Sequence, residues 1–461
     1  MSDIVTLNGY KIKDEKAVRS YETIALMKAD TKLKEGYHVK TKGYYEANDG
    51  GNAEYIIVDD ETLVDDGGSI HVLTNGLRAI LLNTEIYPEM FGAYGDGIHD
   101  DHNAIQNVIN YALLNYINVV GMKSYKIDTT LEIVGNTPET NIDVYLNKVI
   151  YTGNDFAIDV KYAQYLTLII DELTASNGGG LKSIPSESPQ RMQYCKISLR
   201  KCTYKTYGIY IRPTNNRWVN ENEFIRSRFF GNNGSSSICV YVEDGTGGAE
   251  STTESNMFRW IGNENPNTKT FVFNKAQNTV IEYPRYQESG HLCDTSGTNQ
   301  LLFILKTQLK NTFFNFSNDT YGRIITAKSV FSDIQSVYDY FNISSGYVIP
   351  VNENNYYSNI SNTFQTEGVV DFTNRDGYEM PQYMLISGSS ITQVDLPQWL
   401  LLSSAHPIYL RFGDNAQTNL TFNCGSYSFT YDGVKLTTGH WYRIRFVQTL
   451  NKFIYEEISV L

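Results

Sequence analysis

The chain has 461 residues, which is about two to three times the length of an ordinary single domain, so several domains or one elongated repeat array are expected. Hydrophobic residues make up 41% and aromatic residues 13% of the chain, and this composition excludes a disordered chain. The formal net charge of −13 disfavours general attraction to nucleic acid or to an anionic membrane, and neither is expected as a partner.

Targeting segments and metal motifs are missing from the sequence pattern. No apolar stretch approaches the ~18–20 residues that cross a bilayer, and the first residues lack the apolar core of a signal peptide. The five cysteines form no Cys-x-x-Cys pair and no cluster with histidines, so neither a disulfide framework nor a zinc site is predicted. We therefore expect a chain made in the cytoplasm, with no cofactor and no bound metal.

Residues 1–88 are predicted to form a small α/β module. The run from Ser20 to Thr23 precedes a short apolar helix, and a Ser hydroxyl can satisfy the first free amides of that helix. A hairpin follows, whose strands near residues 37–45 and 55–58 are joined by Asn-Asp-Gly-Gly at 48–51. That run supplies the positive-φ positions that a tight turn needs.

Residues 89–118 contain the most informative segment, Phe-Gly-Ala-Tyr-Gly-Asp-Gly-Ile-His-Asp-Asp-His-Asn-Ala-Ile-Gln at 91–106. Apolar residues from Ala104 to Ala112 share one helical face, so we expect a helix over 103–114 that covers the end of a stack of strands. Asp100 or Asp101 is expected to cap this helix. A calcium cage formed by Asp96, Asp100 and Asp101 is the alternative.

From residue 119 to residue 375 the pattern is one of short strands separated by polar turns rich in Gly and Asn. A triad Asn-x-(Phe/Val) recurs with Asn at 222, 256, 278, 311 and 362, and its first intervals are 34, 22 and 33 residues. Such intervals fit the coils of a β-solenoid, in which Asn amides form an inward ladder and Phe rings an inward stack. The alternative is chance recurrence in a chain that is rich in Asn and Phe.

Residues 376–461 have longer strands and are predicted to form an antiparallel β-sandwich. Aromatic and aliphatic side chains are frequent in these strands, and they suit either an interface between protomers or an ordinary sandwich core.

The segment at 91–106 resembles the start motif of pectate-lyase-like right-handed parallel β-helices, Phe-Gly-Ala-x-Gly-Asp-Gly-x-x-Asp-Asp-x-x-Ala-Ile-Gln. Upstream, Gly43-Tyr44-Tyr45, Asp49-Gly50-Gly51 and Ala53-Glu54-Tyr55 resemble a module that often precedes this motif in bacteriophage tailspikes and pre-neck appendage proteins. In that family the start motif is architectural, so its carboxylates are not expected to be catalytic.

This resemblance implies a mainly β protein with a right-handed parallel β-helix over 119–375. It implies a virion-attachment module at 1–88, the start motif with its capping helix at 89–118, and a C-terminal antiparallel β-sandwich at 376–461 for trimerisation or receptor binding. It further implies a homotrimeric tail appendage of the virion, assembled in the host cytoplasm, that contacts other tail or collar proteins through its N-terminal module. The implied partner on the host is wall teichoic acid or a surface polysaccharide.

Cleavage of a glycan needs two carboxylates, and the predicted coils suggest a pair. If Asn222 and Asn256 stack, Glu221 and Glu223 share an outward strand face, ~6.6–6.8 Å apart, which is the separation of an inverting pair. Arg259 then lies diagonal to Glu223. The alternative is that these are solvated strand carboxylates. Further candidate acids are Asp244, Glu254 and Glu282.

Arginines and tryptophans are concentrated around these acids. The candidates for substrate binding are Trp218, Arg226, Arg228, Arg259 and Trp260. Arginine binds phosphate or carboxylate with two parallel hydrogen bonds, and a Trp face can stack on a sugar ring. Packing between protomers of a trimer is the alternative for these side chains.

Two functions remain open. The first is a depolymerase of wall teichoic acid or capsular polysaccharide, acting as a hydrolase rather than as a lyase. The second is a non-catalytic trimeric receptor-binding spike of the same architecture.

Overall fold

The computed structural model describes residues 18–135, 140–233, 236–244, 253–265, 268–286, 290–297 and 299–305, and outside these ranges it describes the strands named below. The chain divides into two compact units, residues 1–301 and 302–461. Strands dominate the described residues, and the protein is mainly β. None of the described helices is long and apolar enough to cross a membrane.

The N-terminal part of the first unit contains a small sheet. Its strands, in spatial order, are Arg19–Tyr21, His38–Thr41, Ala53–Val58, Arg78–Leu81 and Ile70–Val72. The first pair is parallel and the other pairs are antiparallel. A further antiparallel pair is formed by Val5–Leu7 and Tyr10–Ile12. Helix α1, Ile24–Ala29, begins after Thr23, whose hydroxyl accepts a bond from the Leu26 amide, so Thr23 and not Ser20 caps it.

The Asp-Gly-Gly turn of this module is held by one carboxylate. Asp49 accepts hydrogen bonds from the amides of Tyr44, Tyr45, Glu46 and Gly51 at 2.7–3.1 Å. A Cβ atom at Gly51 would lie only 2.5 Å from the carbonyl oxygen of Glu89. The chain can therefore close the turn only with glycine at this position.

The helix predicted over 103–114 is confirmed as α2, His102–Asn115. It follows a 3-10 helix, Pro88–Phe91, and a strand, Asp96–Asp100. The side-chain amide of Gln106 donates to the Glu132 carbonyl and accepts from the Glu132 amide, both at 2.8 Å. Because Glu132 lies in the early strand Leu131–Val134, the helix covers the beginning of the solenoid, as expected.

The aspartates of the start motif hold its loop. Asp101 precedes α2, but its carboxylate accepts from the amides of Tyr94 and Gly95 at 2.6 and 3.1 Å and makes no bond to the helix. Asp96 accepts from the amides at 98 and 99. Of the two predicted caps, Asp101 is wrong, because nearer loop amides compete for its oxygens. Asp100 is the one that bonds the helix start, since its Oδ1 accepts from the His102 amide at 3.3 Å. Within the described ranges, no group of three or more His, Cys, Asp or Glu is placed to hold a metal ion.

A parallel β-solenoid follows. Its first strands, Val119–Ile127, Asp143–Tyr151 and Thr167–Ala175, pair in parallel, and the last of them pairs with two shorter strands that begin separate ladders. The first ladder consists of Lys196–Leu199, Glu223–Ile225, Met257–Arg259 and Thr279–Glu282. The second ladder consists of Cys202–Tyr204, Arg228–Gly231, Gly262–Asn263 and Arg285–Tyr286.

A third ladder runs along another side of the coils. It consists of Phe156–Gln164, Gly179–Ser183, Tyr207–Ile211, Ile238–Glu243, Lys269–Asn274 and Gly290–Ser296. Phe156–Gln164 also pairs with Leu131–Val134 and with Arg191–Gln193, and the latter pairs with Trp218–Asn220. The strand Asn299–Leu305 begins at the end of this unit. The parallel solenoid is thereby confirmed, and its right hand stays a prediction.

The interior of the solenoid is a set of stacked columns. In the third ladder Ile158, Leu181, Ile209, Val240 and Phe271 stand in register, each at most 1% exposed. In the first ladder the rings of Phe224 and Phe258 stack at 4.9 Å with an angle of 12° between their planes. Beside them, the Asn222 amide donates to the Asn256 side-chain oxygen at 3.0 Å. The predicted Asn ladder and Phe stack are confirmed for these two coils.

The third copy of the triad does not continue this register. Val280 pairs with Met257 and Ile281 pairs with Phe258, so Thr279 lies next to Asn256. Asn278 instead occupies the preceding bend with φ 45°. The prediction that Asn278 extends the buried ladder is wrong, because Asn also tolerates the left-handed conformation that the bend requires. The copy at Asn311 lies outside the described residues.

The second unit contains thirteen described strands. They are Thr312–Phe316, Thr320–Thr326, Phe341–Ile343, Tyr347–Val351, Asn362–Gln365, Gly368–Asp371, Tyr383–Ser387, Ile391–Leu396, Ile408–Phe412, Leu420–Cys424, Tyr427–Tyr431, Trp441–Val447 and Lys452–Ile458. Parallel pairs extend to Leu420–Cys424, and the three strands after it pair antiparallel. Pairing in this unit is therefore mixed, and the antiparallel sandwich and the domain boundaries at 88, 118 and 375 stay predictions.

Candidate functional site

An exposed column of large side chains lies where the first ladder bends into the second. We call Arg226, Trp260 and Tyr283, which lie on three successive coils, the corner column. The guanidinium carbon of Arg226 lies 5.2 Å from the centre of the Trp260 ring, and the rings of Trp260 and Tyr283 stack with their centres 6.1 Å apart. Trp260 is 45% exposed. The corner column therefore presents one cation and two aromatic rings along the solenoid.

The backbone of the corner column is unusual for such large residues. Arg226, Trp260 and Tyr283 have φ of 48°, 54° and 51°, a left-handed conformation that favours glycine and asparagine. The bend keeps its hydrogen bonds to the next coil, since the amides of Arg226 and Trp260 donate to carbonyls at 3.0 and 2.9 Å. The ladder on both sides of the bend thus holds the three side chains outward.

Carboxylates converge on Arg259, immediately before the corner column. Its Nε donates to Glu282 Oε2 at 2.5 Å, and Glu282 lies on the following coil. This hydrogen bond raises the pKa of Arg259, and the charge of Glu223 on the preceding coil acts in the same direction. Of the five predicted acids, Glu223 and Glu282 are therefore the two that the fold brings to one arginine.

Glu221 and Glu254 lie at an earlier bend. Glu221 has φ 58°, and the strand begins only at Glu223, so the two residues do not alternate along one strand. A hydrogen bond to Glu221 raises the pKa of the Tyr194 hydroxyl. Glu254 accepts from the Asn278 amide at 2.7 Å. The prediction that Glu221 and Glu223 share one outward strand face is wrong, because the left-handed Glu221 lies in the bend between two strands.

The remaining predicted residues are spread over other elements. Asp244 follows a strand of the third ladder, where its amide donates to the Asn274 carbonyl at 2.9 Å. Trp218 is 38% exposed on strand Trp218–Asn220, before the bend at Glu221. Arg228 lies beyond the corner column and its Nε donates to Glu264 Oε1 at 2.9 Å. The fold thus groups Arg226, Arg259 and Trp260 and separates the others from them.

Sequence reasoning missed a second group of aromatic residues, which lies on the third ladder. Phe156, Tyr207, Tyr210 and Tyr241, which we call the aromatic patch, are half-buried and in mutual contact. Tyr210 and Tyr241 are register partners whose rings stack at 5.1 Å with an angle of 7° between their planes. The alternation Ile-Tyr-Ile at 209–211 and Val-Tyr-Val at 240–242 was the signal that could have placed these two rings outward.

Comparisons with known proteins found similarity at the level of structure. No family model and no curated protein matches this chain. A solved structure of tailspike protein 2 from an Escherichia coli O157:H7 bacteriophage matches with 14% identity and a TM-score of 0.41, covering 67% of this chain and 52% of that one. A second solved structure that matches is the enzymatically active domain of bacteriophage CBA120 tailspike protein 2, of which this chain covers 57%. This chain therefore spans little more than half the length of these two structures.

Two tailspikes from Acinetobacter phages are also similar in structure. Gp49 of the Acinetobacter baumannii bacteriophage Fri1, described as a capsular polysaccharide depolymerase, has 10% identity and a TM-score of 0.47, with 93% of this chain and 81% of that one covered. The tailspike of Acinetobacter phage vB_ApiP_P1 has 12% identity and a TM-score of 0.48, with 82% and 65% covered. The parallel solenoid of this chain agrees with the tailspike-like fold that the sequence resemblance predicted.

Proposed function

We propose that this chain is a phage tail appendage that binds an anionic glycopolymer of the host surface along the corner column and cleaves it beside Arg259. The observation that supports this most is the corner column itself. Three successive coils place Arg, Trp and Tyr in a conformation that costs a residue with a side chain roughly 1–2 kcal/mol relative to glycine. Other bends also hold left-handed residues, among them Tyr165 and Tyr194, so what distinguishes the corner column is a guanidinium over an exposed Trp ring that stacks on a Tyr.

The column suits a polymer with sugar rings and negative groups. Arg226 and Tyr283 flank the Trp260 ring, which is 45% exposed, so a sugar ring can pack across the outer edges of the column. Arg226 offers a guanidinium to a phosphate or a carboxylate. Arg259 and Arg228 are already bonded to Glu282 and Glu264. Arg226 is therefore the arginine that we assign to the negative group, and wall teichoic acid or an acidic capsule is the substrate class.

Cleavage is assigned to Glu223 and Glu282. Glu223 lies one coil before Arg259 and Glu282 lies one coil after it. Glu223 stands in register with Met257 and Val280, so two ladder steps and an offset of two residues along the strand put the Cα atoms of Glu223 and Glu282 roughly 11–12 Å apart. Glu side chains that extend toward each other from this distance suit the ~6.5–9.5 Å of a pair that holds a water between its carboxyls better than the ~5–5.5 Å of a covalent route. One carboxyl gives its proton to the leaving oxygen as the bond between that oxygen and the attacked atom breaks. The other carboxylate takes a proton from the attacking water, whose oxygen bonds to the attacked atom, so each new chain end carries a hydroxyl group.

The test is the molar mass of purified polymers after incubation with the protein. Wall teichoic acid and acidic capsular polysaccharides are incubated with the unmodified chain, Glu223→Gln, Glu282→Gln and a control, Glu172→Gln. Glu172 is matched because it also lies outward on a ladder strand, between Lys148 and Lys201. We expect shorter products with the unmodified chain and with the control, and rates lower by ~10²–10⁴-fold for the other two variants.

Two other results would change the proposal. If Glu223→Gln and Glu282→Gln both cleave at the full rate, the catalytic assignment is wrong. If the unmodified chain binds a polymer that it never shortens, and binding depends on Trp260, the chain is a non-catalytic receptor-binding spike.

Assembly forms a separate part of the proposal. We infer a homotrimer in the virion tail that attaches to other tail or collar proteins through residues 1–88, as the resemblance of the upstream module and the start motif together implies. Light scattering at micromolar concentration is expected to give three times the mass of one chain. The mass of a single chain would contradict it.

A further inference from the structure

The aromatic patch has the composition of a ligand site and lies on a different ladder from the corner column. Phe156, Tyr207, Tyr210 and Tyr241 come from three strands of the third ladder, with ring centres 4.8–6.2 Å apart. Ile209 and Val240, the strand neighbours of Tyr210 and Tyr241, fill the core, so these two rings lie on the outer face. The half-buried Phe156 and Tyr207 contact them there. The Lys182 ammonium lies 5.6 Å from the centre of the Phe156 ring.

A buried carboxyl group adjoins the patch. Asp159 lies between the core residues Ile158 and Val160, stands in register with Lys182 on the outer face, and is only 5% exposed. Among the described residues its Oδ1 has no hydrogen-bond partner. Its Oδ2 lies 3.8 Å from Lys182 Nζ, and that ammonium is also 2.6 Å from the exposed Asp155. An unpaired buried oxygen of this kind is costly, and a bound hydroxyl group would satisfy it.

The charges around the patch nearly cancel. Three basic and four acidic side chains surround it: Lys161, Lys182 and Arg212, and Glu132, Asp155, Asp159 and Glu243. Each of the three cations lies within 4 Å of a carboxylate. A phosphate or a uronate would therefore meet as much repulsion as attraction, whereas the hydroxyl groups of a neutral sugar can both donate to and accept from such pairs.

We propose that the aromatic patch, with Asp159, Asp155 and Lys182, is a second glycan site that binds neutral hexose or N-acetylhexosamine units. A sugar ring lies across the outer edges of the stacked Tyr210 and Tyr241 rings. One hydroxyl reaches Asp159 once the Lys182 side chain, which stays bonded to Asp155, moves aside. The site goes beyond the proposed function, because it needs no negative group on the ligand and no cleavage. A polymer with neutral side branches could occupy both sites at once.

The probes are neutral hexamers of glucose in α-1,4, β-1,4 and β-1,3 linkage and of N-acetylglucosamine, observed by saturation-transfer NMR with the full chain. We expect transfer to at least one hexamer. Tyr210→Ala and Tyr241→Ala should weaken its binding about tenfold or more, the equivalent of ~1.4 kcal/mol. Tyr210→Phe should retain binding, because the ring is kept. Asp159→Asn should weaken binding severalfold, since an amide cannot accept on both of its terminal atoms.

Two control variants show whether hexamer binding belongs to the aromatic patch. Tyr145 is a half-buried tyrosine on another ladder strand, so Tyr145→Ala should leave hexamer binding unchanged. Trp260→Ala should weaken anionic polymer binding and leave hexamer binding unchanged, which distinguishes failure of the proposed function from failure of this site.

Three results would overturn the inference. The first is that none of the hexamers receives saturation. The second is that a bound hexamer is insensitive to Tyr210→Ala and Tyr241→Ala. The third is that these two variants lower the molar mass of the protein in solution, which would make the patch an interface between copies of the chain.

Discussion

The buried pair of Asn222 and Asn256 sets the register of the candidate site, and Asn222→Ala should destabilise the solenoid. Asn222 Oδ1 accepts from the Cys195 amide at 3.0 Å, and Nδ2 donates to the Met192 carbonyl at 3.1 Å and to Asn256 Oδ1. Asn256 Oδ1 also accepts from the backbone amide of residue 222, so it keeps a partner in the variant.

The variant therefore leaves the buried Cys195 N–H without its partner and removes one bond from the Met192 C=O, whose strand still pairs with its neighbours. An unsatisfied buried group costs about 1–3 kcal/mol, so the free energy of unfolding should fall by about 1–3 kcal/mol. Asn222→Asp should be at least as harmful at neutral pH, because a carboxylate would face two oxygens where an NH₂ group donated. Both variants are measured by urea unfolding followed by circular dichroism.

Asn147→Ala is the matched control, since the half-buried Asn147 donates from its side-chain amide to the Met122 carbonyl at 3.1 Å in a solvent-exposed hydrogen bond. Surface substitutions of this kind usually change stability by less than about 0.5 kcal/mol. A loss below about 1 kcal/mol for Asn222→Ala would refute the reasoning. It would mean that the buried ladder does not hold the coils in register.

Three further predictions concern the fold and its titration. Phe224→Ala should lower the free energy of unfolding by about 3–5 kcal/mol in the same urea assay, because the fully buried ring stacks on Phe258. Asp101→Ala should speed hydrogen exchange of the two loop amides that its carboxylate now binds, and unchanged exchange would contradict that role. Burial raises the pKa of Asp159 to about 6, so the folded state holds a proton here that the unfolded state loses near pH 4. The stability that comes from the protonated carboxyl is therefore present below about pH 4 and is lost as the pH rises to about 6. Asp159→Asn should therefore raise the urea midpoint at pH 8 and flatten its dependence between pH 4 and 6.

The local parts of the fold could be predicted because their chemistry is local. Few other residues can replace the glycines and aspartates of a tight turn. The segment at 91–106 therefore predicted the helix His102–Asn115 and its place at the start of the solenoid. The shared triad at Asn222 and Asn256 likewise predicted the register of two coils. The same prediction was wrong at Asn278. Asparagine suits both the buried ladder and the left-handed bend, and the triad alone does not distinguish these two positions.

The site was predicted only in part, because bends change which residues face outward. The pairing of Glu221 with Glu223 was predicted on the assumption that both lie on one strand. One strand in fact ends before the left-handed Glu221, and the next begins at Glu223. Arg226 and Trp260 were proposed from composition, while their stacking requires the corner to recur on successive coils. The aromatic patch needs the register of three coils, and no short motif marks that register.

The most direct test of the proposed site is a crystal structure of Glu223→Gln with a fragment of the polymer that the unmodified chain binds. We expect sugar rings against Trp260 and Tyr283, with a phosphate or carboxylate of the polymer at the Arg226 guanidinium and the scissile bond near Glu282. Polymer bound only elsewhere on the solenoid, with the corner column empty, would contradict the assignment of the site.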